Sequence, residues 1–367
     1  MGDHTVGPNF GVEEEFLLVH PRTGQPVGRN TAVAHHAARR GVELQMEWTT
    51  CQVETATDKV NSSSQLREHI SQLRSAVSES AREAGALLLA VGAPPVGPRR
   101  YSITDTPRYR RIAASFGAVG YEQCISGCHV HVEIRNREAA IEVCNWLRPW
   151  LPLLLALSAN SAICHGADTG YSSWRTVMWG RWPSAGLPPH FDSVADYDRA
   201  VSMLLDSGAI VDEAMVYWDI RPSIRFPTVE IRVADVPATA AETVLLGTLC
   251  RAAVMTALRF YEQGMSAPRQ PDHALKLAYW RAAHDGLDGQ VIDVFGDWRP
   301  APFAAVFRRW LMLLRPALEE TGDAQWIGAE LRRLARDGNG AIRQRNAWRH
   351  RKEISDVIAA LARATLN

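Results

Sequence analysis

The chain has 367 residues, 46% hydrophobic and 22% charged, a balance that suits an ordered soluble protein and excludes a disordered one. Forty lysines and arginines are matched by 40 aspartates and glutamates, and the formal net charge of zero gives no whole-chain attraction to nucleic acid or an anionic membrane. That length permits one large domain or two smaller ones. Six cysteines include one close pair, Cys124 and Cys128, with no second pair for a zinc knuckle, so they are expected as buried thiols of a reducing compartment. Met1-Gly2-Asp3-His4 lacks a basic-plus-apolar signal region. The most apolar stretch, Trp146 to Leu157, is too short to span a bilayer and contains Arg148, Pro149 and Pro152. A cytoplasmic protein without a membrane segment is expected.

In chain order, Glu13 to Val19 reads as a strand ended by the turn Pro21-Arg22-Thr23-Gly24. A short helix follows at 31–40, then a strand region at 42–57. Ser62 to Ala90 has the apolar spacing of one long amphipathic helix, broken by Gly92-Ala93-Pro94-Pro95. Cys128 to Ile134 alternates most clearly as a strand. Asn136 to Leu157 is helical, kinked at Pro149 and Pro152. Residues 158–192 read as a long aromatic, glycine-rich loop of the kind that forms lids or binding loops. Two extended pieces lie between Trp218 and Val236, and helices are expected at 238–264, 271–286, 302–320, 323–337 and 351–365.

Four segments alternate apolar residues with carboxylate, histidine or arginine: Val12-Glu13-Glu14-Glu15-Phe16, Gln52-Val53-Glu54, Cys128-His129-Val130-His131-Val132-Glu133-Ile134 and Val229-Glu230-Ile231-Arg232-Val233. Successive strand side chains point to opposite faces, so each segment buries one row and presents the other. A face crowded with carboxylates needs cations to relieve its repulsion. Segments more than 200 residues apart converge only within one domain, so 1–367 reads as one catalytic domain, strand-rich over about 10–236 and helical over 238–367. Strands early and in the middle with helices between and after indicate an α+β fold with a mixed or antiparallel sheet. No GxGxxG or Walker A motif is present.

Glu13 and Glu15, on one face, suit neighbouring Mg²⁺ ions sharing phosphate oxygens. His129, His131 and Glu133 would suit zinc or iron, but the excess of carboxylates favours a hard cation, Mg²⁺ or Mn²⁺. Glu230 beside Arg232 pairs a metal-holding group with one that neutralises a transferring phosphoryl. Arg175, Arg181, Arg221 and Arg225 lie in loops where arginine clamps carboxylates or phosphates. Gly338-Asn339-Gly340-Ala341-Ile342-Arg343-Gln344-Arg345 reads as a flexible turn bringing two arginines over an anion.

Taken together, these residues resemble the bacterial type 2 glutamate–cysteine ligase family, in its short carboxylate–amine ligase branch. The resemblance runs in order through Gly11-Val12-Glu13-Glu14-Glu15-Phe16, Gly127-Cys128-His129-Val130-His131-Val132, Ala167-Asp168-Thr169-Gly170-Tyr171, Arg181-Trp182-Pro183, Trp218-Asp219-Ile220-Arg221-Pro222, Thr228-Val229-Glu230-Ile231-Arg232-Val233, Gly338-Asn339-Gly340 and Arg343-Gln344-Arg345. It implies a glutamine-synthetase-like funnel, a curved antiparallel sheet with helices outside. It also implies ATP-dependent joining of a carboxylate (glutamate or similar) to an amine (cysteine or another amine) through an acyl phosphate, with a homodimer as a family-level expectation.

By that analogy Glu13, Glu15, Glu54, His129 and Glu230 hold Mg²⁺, and Arg232 contacts ATP. Glu47 would be a further ligand only if a bulge or turn separates it from Glu54. Arg232, Glu230 and Arg175 are assigned to catalysis. Arg232, Arg221, Arg343 and Arg345 are assigned to ATP, and Arg175, Arg181, His131 and Tyr171 to substrate. The sequence departs from the family pattern at Glu133 and at Ser161-Ala162-Ile163-Cys164-His165-Gly166-Ala167, so the substrates need not be glutamate and cysteine. Competing expectations are a guanidino-kinase-like phosphotransferase, a metal-dependent hydrolase using His129 and His131, and a non-catalytic nucleotide sensor.

Overall fold

A computed structural model describes residues 7–367. Its main sheet runs β2 (Gln45–Met46), β3 (Gln52–Ala56), β1 (Phe10–Val19), β5 (Gly127–Glu133), β9 (Thr228–Asp235) and β8 (Ile220–Pro222), with β4 (Leu87–Leu89) also pairing with β1. Every pairing is antiparallel. A small hairpin of β6 (Ile163–Cys164) and β7 (Ala167–Asp168) stands apart.

Alternation explains the layering. Phe10, Val12, Val130, Val132, Val229, Ile231 and Val233 face one way and join a core with the helices Arg137–Leu147, Leu151–Ser158 and Ala240–Glu262. That core continues through Trp310 to Leu334, so the helical last third is packed on the sheet itself. Helix Ala240–Glu262 is long and apolar enough to cross a membrane, but 89% of its apolar window is buried inside the protein.

The middle of the three glutamates breaks the apolar row. Glu14 points into the helix layer with no exposed surface, and its carboxylate takes two hydrogen bonds from Arg74, at 2.6 and 3.1 Å. Arg74 also donates to the carbonyls of Pro237, Ala238 and Thr365, so one buried guanidinium ties the first strand to the last helix.

Several boundaries differ from the sequence expectation. The helix expected over 62–90 ends at Glu83. Gly85 turns the chain with φ 74°, and Leu87–Leu89, read as a continuing apolar stripe, is instead a buried strand. The 158–192 segment holds a helix at Trp174–Trp179, capped by Ser173, besides the small hairpin. A further helix, Val194–Asp206, lies in a stretch left unassigned. The flexible turn expected at 338–345 is a capped helix, Gly340–Arg351, with the Asn339 side chain accepting from Ile342 N–H. The break expected near Pro149 and Pro152 is present, between Leu147 and Leu151.

One irregularity matters for the site. Cys128 pairs with Ala234 but Val130 pairs with Ile231, so β9 carries an extra residue opposite His129. Glu230 therefore faces the cavity before the bulge and Arg232 within it, and Asp235, opposite Gly127, returns to that side after it.

Candidate active site

The other face of the sheet floors a cavity lined by Glu13, Glu15, Glu54, His129, His131, Glu230, Arg232 and Arg221. Register sets the rows. Glu15 lies opposite Glu54, Glu13 opposite His129, and His131 opposite Glu230, which in turn lies opposite Arg221. Three groups form whose ligand atoms lie within 4.8 Å of one another: Glu13, Glu54 and His129; Glu13, His131 and Glu230; and Glu15, Glu47 and Glu54. Glu47 reaches the cup because β2 ends at Met46 and a turn separates it from β3, which removes the parity conflict with Glu54.

The electrostatics would suit a bound cation. Burial, then the charges of Glu47, Glu13 and Glu15, push Glu54 well above the usual carboxylate range. Burial and Glu47 push Glu15 up as well, against the pull of His129, Arg175 and the Gly127 N–H, which donates to Glu15 at 2.6 Å. Glu13 goes the other way: burial opposes its charge, but His129 and His131 hold it far below the ordinary value. Burial and Arg232 lower His129, leaving the neutral imidazole that ligates metals. The Nε2 atoms of His129 and His131 are buried without a hydrogen-bond partner among the described residues. Orphaned imidazole nitrogens beside carboxylates that cannot all ionise together fit divalent cations.

Arginines stand over the same floor. Arg221 donates to Glu230 at 2.8 Å, and Arg232 bonds the other oxygen of that carboxylate. Burial opposes the charge on Glu230, but the two guanidinium groups hold it well below the usual range. Arg175, 2% exposed, lies against Gly127, and its Nε, like that of Arg232, is buried with no hydrogen-bond partner among the described residues.

Other expected residues lie elsewhere. Arg343 bonds Glu242 and the Gly338 carbonyl, and Arg345 bonds Asp168 and Ser172, so neither lines the cavity. Helix Gly340–Arg351 fixes both where a flexible lid was expected. Arg181 pairs with Glu122 at 2.8 Å. Tyr171 packs edge-on against Trp174 and His284, and its hydroxyl accepts from Trp280 at 3.3 Å. Glu133, the extra carboxylate, is held by Asn9 and Arg135 at the end of β5, outside the cavity lining.

The cavity has an aromatic wall of Trp48, Tyr109, Trp179, Trp182 and Tyr217; Trp179 and Trp182 belong to the segment read as a binding loop, whereas sequence reasoning missed Trp48, Tyr109 and Tyr217. Their rings meet edge-on or tilted within a satellite core. Their clustering brings together four separate segments and leaves no local pattern to read.

A sheet face that gathers buried carboxylates, imidazoles and guanidinium groups around a cavity has the make-up of an enzyme site, and the carboxylates and imidazoles could hold a metal ion. The comparisons place it. Residues 9–360 match the family described as glutamate-cysteine ligase family 2, GCS2. A protein of Mycolicibacterium smegmatis provisionally named glutamate–cysteine ligase 2-3 is 55% identical over 359 residues, covering 98% of both chains. One of Nocardia farcinica, provisionally named glutamate–cysteine ligase 2-1, is 52% identical over 359 residues, 98% of this chain and 94% of that one. The chain belongs to the glutamate-cysteine ligase family 2, and is thereby a carbon–nitrogen ligase.

Two solved structures show the fold. A glutamate–cysteine ligase of Francisella tularensis, crystallised in complex with AMP, superposes with TM-score 0.74 at 13% identity, over 98% of this chain and 88% of that one. A bifunctional glutathione synthetase of Pasteurella multocida gives 0.71 at 15% identity, over 97% of this chain and 52% of that one. The glutamine-synthetase-like class expected from sequence is the class observed.

Proposed function

We propose that this protein uses ATP and Mg²⁺, with Mn²⁺ as a substitute, to join a small carboxylic acid to an amine, releasing ADP and phosphate, within one catalytic domain. The observation that carries this is the set of three ligand groups sharing Glu13 and Glu54 along a single sheet face. Glu13, Glu15, Glu47, Glu54, His129, His131 and Glu230 would hold the cations, whose charge would offset that of the phosphates. Arg232 and Arg221 stand beside Glu230, placed to steady the phosphates as that carboxylate turns to a cation. Arg175, at the Glu15 end of the floor, is placed to clamp the acid substrate. Attack of the substrate carboxylate on the γ-phosphorus gives an acyl phosphate. The amine, once deprotonated, attacks its carbonyl carbon, the amide forms and phosphate leaves. The aromatic wall keeps water from the acyl phosphate.

The relatives' names point to glutamate and cysteine, and we take an amino acid of each kind as the first pair to test. Six free thiols support a cytosolic setting. The test is ADP release by purified protein with Mg²⁺-ATP against acids and amines, singly and in pairs. ADP that requires both an acid and an amine is expected. ADP with a phosphorylated product from one substrate would instead show a kinase, and turnover without ATP a hydrolase. Glu230→Gln is expected to abolish turnover without unfolding the protein, and normal turnover in that variant would remove Glu230 from the cation site.

A further inference from the structure

Cys51 opens the turn into β3, and Cys124 stands in the segment before β5, yet their sulfur atoms lie 3.7 Å apart with both side chains buried. Amide ligation through an acyl phosphate uses neither thiol. Thr49 Oγ1 lies 3.2 Å from Cys51 Sγ and 3.8 Å from Cys124 Sγ, and donates to Gln52 Oε1 at 2.6 Å. Gln52 Nε2 donates to the Ile125 carbonyl at 2.7 Å and to Ser126 Oγ at 3.2 Å. Gln52, Gln123 and Ile125, immediate neighbours of the two cysteines, all line the cavity. The thiol pair therefore sits directly behind the cavity wall, where two separate segments meet.

We propose that Cys51 and Cys124 form a dithiol redox site, converted by a peroxide to a disulfide that draws the two wall segments together and lowers turnover. The Cys51 thiolate attacks one peroxide oxygen. The O–O bond breaks, and the departing hydroxide takes a proton and leaves as water. Cys51 is then a sulfenic acid. Cys124 sulfur attacks Cys51 Sγ, the S–S bond forms and the S–O bond breaks. The second hydroxide takes the Cys124 proton and leaves as water. Two electrons pass from the sulfurs to the peroxide, with no other reactant. Contact with Cys124 lowers the Cys51 thiol below its ordinary value while burial pushes Cys124 well above, which suits Cys51 as nucleophile and Cys124 as resolving thiol. Burial raises Cys128, Cys144, Cys164 and Cys250, which suppresses their thiolates.

A disulfide holds its sulfurs about 2.05 Å apart, so the present 3.7 Å must close by roughly 1.7 Å. The turn at 49–52 and the segment at 123–126 must absorb that movement, taking Gln52 and Gln123 with them.

The reduced, desalted protein is treated with near-stoichiometric hydrogen peroxide, alkylated under denaturing conditions and mapped by mass spectrometry, with ADP release followed in parallel. The expected result is a Cys51–Cys124 cross-linked peptide, two fewer alkylated thiols and a loss of turnover of about tenfold or more, reversed by dithiothreitol. Cys124→Ala is expected to keep its untreated turnover and to lose peroxide sensitivity. Six alkylatable thiols after treatment, or a sulfinic acid at Cys51 without the cross-link, would overturn the redox site. An intact cross-link with unchanged turnover would overturn the coupling to the cavity. The peptide map needs no activity, so failure of the proposed ligase function would not be mistaken for failure of this site.

Discussion

Gly127 is the point at which the proposed role of Arg175 is most exposed to test. A β-carbon on Gly127 would stand 2.4 Å from Arg175 Nη2, 3.0 Å from its Cζ and 3.2 Å from its Nε. Ordinary contact begins near 3.4 Å, so Gly127→Ala forces the guanidinium to retreat by about 1 Å. The backbone there has no positive φ, so alanine adds no backbone strain and the perturbation falls on Arg175. Overpacking of this kind costs about 1–3 kcal/mol of stability. If Arg175 clamps a reacting carboxylate, a shift of that size costs about 100-fold in turnover, or roughly 2.7 kcal/mol of transition-state stabilisation. ADP release with an acid–amine pair measures turnover, and thermal unfolding measures the packing cost separately. Turnover within about threefold of the unaltered protein, at unchanged KM, would refute a positioning requirement on Arg175.

Two further outcomes concern stability. Arg74→Met leaves Glu14 without its partner in the helix layer, and is expected to cost about 3–5 kcal/mol by urea unfolding. The double variant Glu14→Gln with Arg74→Met should recover part of that loss, and a cost under about 1 kcal/mol for the single variant would contradict the buried-pair account. Burial raises Asp219 to about 6 from 3.8, so its folded form holds a proton that the unfolded chain releases. Its stabilising contribution is full below the unfolded value and is lost as pH rises through about 6. Asp219→Asn should therefore stabilise the protein by about 3 kcal/mol at pH 8 and not at all below pH 4, and equal effects at both would exclude the shift.

The sheet was legible where function forces alternation. β1, β5 and β9 each combine an apolar row with a row of charged or histidine side chains, which only a strand with one buried face can satisfy. Helical periodicity found the long C-terminal elements for the same reason. β4 was hidden because its consecutive leucines, buried on both faces, extend the apolar stripe of the preceding helix. The fate of Glu14 depended on Arg74, a partner 60 residues away that strand parity cannot reveal. Arg343 and Arg345 looked free because nothing near them in sequence pairs with them, whereas Glu242 and Asp168 lie far along the chain. The cavity carboxylates were found as face members, but their division into three groups depends on register across four strands.

The fastening of helix Gly340–Arg351 bears on when the site acquires its shape. A β-carbon on Gly340 would fall 2.0 Å from Asn160 Oδ1. Gln344 bonds both the backbone and the side chain of Asn160, and accepts from the Ile163 N–H. Asn160 is the neighbour of Ser161, whose hydroxyl bonds Asp235 and accepts from the Arg175 N–H. Thr365, two residues from the end, accepts from Ala90 N–H and gives its carbonyl to Arg74. The surroundings of Glu13 are thus latched by helices that lie at 340–365, far along the chain. Contacts this distant in sequence make for slow closure of the site. Cations held among Glu13, Glu54 and Glu230 would therefore do more than serve chemistry: by relieving repulsion among the assembled carboxylates they would favour that closure.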